Sequence, residues 1–174
     1  MTQTLCPSIT GNLEAIEQGL AFFQHCKQSD YTYSAKPYVD SSMGQHLRHI
    51  LDLYRAVINA NNIGVVDYDA RRRGAKVETD LETGVEELHE IKNWLLAIDE
   101  KSLDVPLSIL SEATLATQQI CEMTSSLRRE LLFTASHTIH HYAMIKTIGK
   151  HRNIELNESF GFAPSTSTYL RGRA

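Results

Sequence analysis

With 174 residues, 42% of them hydrophobic and 22% charged, the chain is long enough to bury a core of its own without disulfides or a structural metal. A net charge of −4 argues against a general nucleic-acid or anionic-membrane partner, and nowhere do about 18 apolar residues run together to cross a bilayer. The three cysteines, Cys6, Cys26 and Cys121, are widely spaced and form no CxxC pair, which fits a reducing compartment better than a disulfide framework.

No repeat or low-complexity tract divides the sequence, so residues 1–174 read as a single domain. The opening "MTQTLCPSITGN" has neither the charged nor the apolar region of a secretory leader, and a cytoplasmic protein is expected. The first amphipathic helix spans about residues 11–28, with Leu13, Ile16, Leu20 and Phe23 at helical spacing. A loop bearing tyrosines, "SDYTYSAKPYVD", follows. The second helix starts after Ser42, which with Gln45 has the spacing of a capping box, and runs to about Asn61. Between helices two and three, "VVDYDARRRGAKVETD" concentrates Asp67, Tyr68, Asp69, Arg71, Arg73 and Glu78. An arginine–aspartate network holding the loop is the plain expectation, and an anion site for an acidic substrate the sharper one. The third helix begins near Thr79 and carries Leu81, Val85, Leu88, Ile91 and Leu95.

Residues 103–125 contain Pro106 and partly alternate, which predicts a short extended crossover or hairpin rather than helix. The fourth helix covers about Ser126 to Gly149, and the tail "NESFGFAPSTSTYLRGRA" is expected to be irregular, with "APST" placed to lid a site. The fold class that follows is mainly α: a four-helix bundle, in which ligand sites are built from inward-facing side chains of different helices.

"FTASHTIHHYAMI" places His137, His140 and His141 on the fourth helix. His137 and His141 are four apart, so both imidazoles share one face, one turn from each other. A helical wheel puts both inside the arc of Leu127, Leu131, Phe133, Tyr142, Ile145 and Ile148, with His140 at the rim. Two core histidines hydrogen-bonded to polar neighbours, or two ligands converging on one ion, are the readings to weigh. The second helix offers His46 and His49. Periodicity prefers His46, which lies within the apolar arc, whereas His49 sits past its edge. His25, His89 and His151 fall on polar faces or a helix end.

Taken together, "GQHLRHILDLY" and "SHTIHHYAMI" resemble the DinB/YfiT-like family of metal-binding four-helix bundles. The resemblance implies a divalent metal held by one histidine of the second helix, His49, and the fourth-helix pair His137 and His141. Three neutral imidazoles leave an ion an open position, as catalytic sites do. Zinc is expected first, with nickel and manganese as competitors. The family includes thiol-dependent transferases and isomerases, so a small-molecule substrate and a low-molecular-weight thiol are the implied partners. A metal-dependent hydrolase acting on a small molecule belongs to the same reading; the alternative is a non-catalytic divalent-metal-binding stress-response protein, working as a homodimer.

Glu130, seven residues before His137, is the candidate proton handler, weighed against an ion pair with Arg128 or Arg129. Asp52 follows His49 by three; a carboxylate there could orient an imidazole, but its position toward the polar face predicts solvation. Cys26 and Cys121 read as small buried hydrophobes.

Overall fold

Pro7 at the first position of α1 (Pro7–Phe23) starts the helix earlier than the apolar spacing predicts. Proline's missing N–H is one of the donors that any helix start leaves unpaired, and its fixed φ suits that place. The computed structural model describes residues 5–173, the side chains of residues 61 and 62 apart; the first four residues of the "MTQTLCPSITGN" opening lie outside that range. α1 ends at Phe23, and the tyrosine loop contains a single short helix, α2 (Gln28–Tyr31).

α3 (Met43–Ile63) opens on the expected capping box. Gln45 N donates to Ser42 Oγ at 3.2 Å, and Ser42 N donates to Gln45 Oε1 at 3.0 Å. Two helix-start amides are thereby paired. Gly64 ends the helix with φ 72°, the left-handed turn that glycine enters without a Cβ clash. α4 (Leu81–Leu96), α5 (Leu127–His151) and α6 (Pro164–Arg171) complete the helices.

α1 packs on α4 and α5, and α3 packs on α5 and α4. Ile16, Leu47, Leu51, Leu88, Leu95, Tyr142 and Ile145 fill the interior. Asn12, fully buried, ties three helices together. Its amide donates to the carbonyls of Ser8 and Leu131 at 2.7 and 2.8 Å, and its oxygen accepts from Tyr54 Oη at 2.7 Å and Thr134 Oγ1 at 3.2 Å. A buried amide with both ends occupied fixes the relative placement of the helices that supply its partners.

The predicted extended crossover is a hairpin of β2 (Pro106–Glu112) and β3 (Ile120–Ser126), antiparallel with Ile109 opposite Met123. A third strand, β1 (Val65–Asp67), lies parallel to β2. Three residues are too few to show alternation, so β1 has no signature in the sequence. Most of β3 faces solvent, and Cys121 on it is exposed rather than buried. Cys26 is partly buried, as a small hydrophobe would be.

The tail also departs from expectation. Residues 164–171 are helical, with Pro164 in the first turn, where proline is tolerated. Phe162, Pro164 and Ser167 border a groove with α1 and the outer face of α5, at Leu132 and Ser136. The "APST" segment therefore lines that groove and not the histidine cavity described below.

Asp52, predicted to be solvated, is 5% exposed. Its carboxylate accepts from Arg48 Nη1 at 2.6 Å and from Arg72 Nε at 2.7 Å. The other end of Arg72 grips Glu87 through two nitrogens at 2.9 Å each, in the parallel fork that suits guanidinium and carboxylate. Arg48 also meets Glu78 at 2.6 Å. The loop between β1 and α4 is thus pinned to both α3 and α4. Gly44 allows the same approach: a Cβ there would stand 2.1 Å from the carbonyl oxygen of Glu78.

A candidate metal centre between two antiparallel helices

α3 and α5 face each other in opposite directions, and their histidines pair accordingly. His49 Nε2 stands 2.9 Å from His137 Nε2, and one turn away His46 Nδ1 stands 3.0 Å from His141 Nδ1. His141 Nε2 in turn lies 3.0 Å from His137 Nε2. The His49, His137 and His141 nitrogens all fall within 4.8 Å of one another, making one three-imidazole cluster.

The rings are half-buried, and this sets their protonation. Desolvation of the imidazolium lowers the pKa of His49 to about 4, helped by the positive charge of Arg71. His141 is lowered further, to about 3, by desolvation and then by His49 and His137 beside it. His137 and His46 are lowered by the same burial. At neutral pH these four rings are uncharged, so their lone pairs are available without the loss of a proton.

The cluster fits a divalent ion. Two nitrogens bonded to one tetrahedral zinc at about 2.0–2.1 Å stand about 3.3 Å apart, and the observed 2.9 and 3.0 Å separations are within a few tenths of this. Neutral nitrogen donors suit zinc, nickel or copper better than magnesium or calcium, which take oxygen ligands.

His46 takes a different place from the three. Its Nδ1 meets Nδ1 of His141, the nitrogen that points away from the cluster. This contact fixes which nitrogen of His141 is directed inward. Among the described residues Nε2 of His46 is buried without a hydrogen-bond partner. Periodicity singled out His46, and the family resemblance singled out His49; both reach α5 because residues three apart share a helix face.

His140 is exposed, as are His25, His89 and His151. His137 and His141 are themselves only partly buried, not central to the apolar arc as the wheel places them. The fully buried stripe of α5 includes Thr134 and Thr138, which flank Leu127 on a helical wheel. Thr134 is accommodated by two acceptors that share its one hydroxyl proton, the Leu131 carbonyl at 3.0 Å and Asn12 Oδ1 at 3.2 Å.

Glu130 is completely buried, with its two oxygens taken up by Tyr68 Oη, Ser125 Oγ and Arg129 Nη1. Burial, then the hydrogen bond to Glu130, raises the pKa of the Tyr68 phenol. Phe133 separates this group from the cluster, lying between Tyr68 and His137 with its ring tilted against both and ring centroids 5.2 and 5.6 Å away. Asp52 makes no hydrogen bond to His49; the arginines occupy it. The sequence reading overlooked two participants, Arg72 and Asn12, whose roles depend on contacts across helices.

His46, His49 and His141 line a cavity of about 400 Å³ whose rim includes Arg71 and Arg73. In overall form the molecule superposes on a DinB-like protein, YjoA, from Bacillus subtilis with a TM-score of 0.63 at 17% identity, over 89% of this chain and 99% of that one. The chain has the DinB/YfiT-like fold. A DinB-like protein from Bacillus cereus gives a TM-score of 0.60 at 10% identity, over 90% of this chain and 98% of that one. YfiT from Bacillus subtilis, described as a probable metal-dependent hydrolase with an unusual four-helix bundle topology, gives 0.59 at 13% identity, covering 89% and 94%. No family model matches the sequence. Among curated proteins, FK506-binding protein 5 of Rhizopus delemar is 31% identical over 109 residues, 63% of this chain. The DinB-like chain spans only 28% of the length of that relative. No helix among the described residues is long and apolar enough to cross a membrane.

Proposed function

We propose that the chain is a metal-dependent enzyme acting on a small molecule, either by hydrolysis or by transfer of a low-molecular-weight thiol, with His49, His137 and His141 as the metal ligands. The convergence of these three neutral imidazoles beside a cavity carries the reading. The likeness to YfiT, itself described as a probable metal-dependent hydrolase, supports it. Zinc is the ion we expect, and the three free, widely spaced cysteines support a reducing, cytoplasmic setting.

When bound, the ion would supply a Lewis acid with an open position, able to acidify a water or a thiol held there. The protein's own groups do the remainder. His46 holds His141 in the tautomer that keeps its Nε2 lone pair on the centre. Phe133 covers one side of His137 and keeps water from that edge. Glu130, with both oxygens occupied, acts by positioning Tyr68 and Phe133 behind the centre rather than by moving a proton of the substrate. The pinned loop fixes the opposite wall through Arg48, Arg72 and Asp52.

The test is turnover by zinc-loaded protein of glutathione with a model aryl halide, and of a model ester in a second assay. Activity in either that disappears on chelation and in His137→Ala supports the reading. Turnover unaffected by chelation contradicts it, and tight metal binding with no turnover favours the non-catalytic metal binder.

A further inference from the structure

Three consecutive arginines sit beside the histidine cluster, and only the middle one is paired. Arg72 turns inward, its guanidinium spent on Asp52 and Glu87. Its neighbours Arg71 and Arg73 both line the histidine cavity, are exposed, and have no carboxylate within salt-bridge distance among the described residues. Of the carboxylates nearby, Glu78 pairs with Arg48 and Glu87 with Arg72 and Arg55, while Asp69 and Glu112 line the neighbouring pocket that Arg71 and Arg73 also border, without a salt bridge to either among the described residues. Among the residues that line the histidine cavity itself Arg48 and Glu78 cancel, and Arg71 and Arg73 add two positive charges.

The anchoring of Arg72 also sets the course of the exposed loop that carries the other two arginines. A residue gripped from both ends fixes the backbone on either side of it, so Arg71 and Arg73 are presented to the cavity at little further cost in chain entropy. Guanidinium groups match the planar oxygens of carboxylate and phosphate, and a cavity of about 400 Å³ is of the size that holds a small organic ligand.

We propose that Arg71 and Arg73 form an oxyanion subsite, so that the substrate of this centre is a small molecule carrying a carboxylate or phosphate group, bound by that group at the arginines with its reacting atom at the histidines. The substrate assignment rests on the metal-dependent reading above; the anion site itself does not.

Calorimetric titration of the metal-free protein at low salt, with succinate in one arm and inorganic phosphate in the other, separates the two. Wild-type protein is expected to bind at least one of these anions, and the arm with the tighter binding identifies the group. In R71Q/R73Q the affinity should fall about tenfold or more, the size expected for losing charged hydrogen bonds, and R71K/R73K should recover part of it. Both residues are exposed, so the variants are expected to fold, which an unchanged melting temperature would verify. Equal affinity in wild type and R71Q/R73Q, or no binding of either anion by wild type, overturns the proposal. A parallel zinc titration reports on the centre alone: loss of zinc binding in the wild type would remove the metal-dependent reading while the anion result still decides the subsite.

Discussion

His46 and His49 differ by one turn on the same face of α3, and that spacing accounts for the two competing indications in the sequence. The wheel selects a residue by burial, and His46 is the more buried of the pair. The family resemblance selects by motif, and His49 is the residue whose nitrogen reaches the cluster. Because His46 touches only the outward nitrogen of His141, its removal should weaken the centre without deleting a ligand. His46→Ala is expected to reduce zinc affinity by roughly 10–100-fold, and His49→Ala by more, as read by competition with a chromogenic chelator. Equal zinc affinity in His46→Ala and wild type would remove the positioning role. No reading of one helix could have shown this division of labour, since it depends on which turn of α5 each ring meets.

At the scale of elements, the four long helices, the capping box of α3 and the hairpin were legible because each rests on local periodicity or turn chemistry. The buried polar connections were not. Asn12 looks like an ordinary polar residue near a helix start, yet its side chain joins α1, α3 and α5. Asn12→Ala leaves buried partners without hydrogen bonds, and a loss of about 3 kcal/mol is expected in urea unfolding, from one to three unpaired groups. Asp52 was legible only as a carboxylate on a polar face. Inside the fold it is nearly inaccessible and pairs with two arginines. Its replacement by Ala should cost about 3–5 kcal/mol, the range for breaking a buried pair from one side, and should increase hydrogen exchange in residues 69–78. Full stability in Asp52→Ala would mean that the network does not hold the loop. β1 and α6 escaped the sequence reading for a simpler reason: the first is too short for a pattern, and the second sits in a Ser/Thr-rich stretch that resembles loop by composition.

For the molecule as a whole, the neutral histidines make stability depend on pH in a direction that follows from their depressed pKa values. In the unfolded chain an imidazole binds its proton near pH 6.5, whereas His49 and His141 in the folded protein resist protonation until about pH 4 and 3. Between those limits the unfolded state binds more protons and is favoured by acid. The metal-free protein should therefore keep its full stability above about pH 6.5 and lose it progressively as the pH falls toward 4. Thermal melting across this range tests the prediction; a melting temperature that is level from pH 7 to pH 4 would show that the rings are not held neutral. The bundle itself is common to proteins only 10–17% identical to this chain, and in this chain it brings histidine rings and guanidinium groups to one cavity beside the α3–α5 interface.

The most direct test of the account is elemental analysis of protein purified without a histidine tag, beside His137→Ala prepared in the same way. One divalent ion per wild-type chain, lost in the variant, is the expected result. Wild-type protein that binds no divalent ion, or a variant with undiminished metal content, would contradict it.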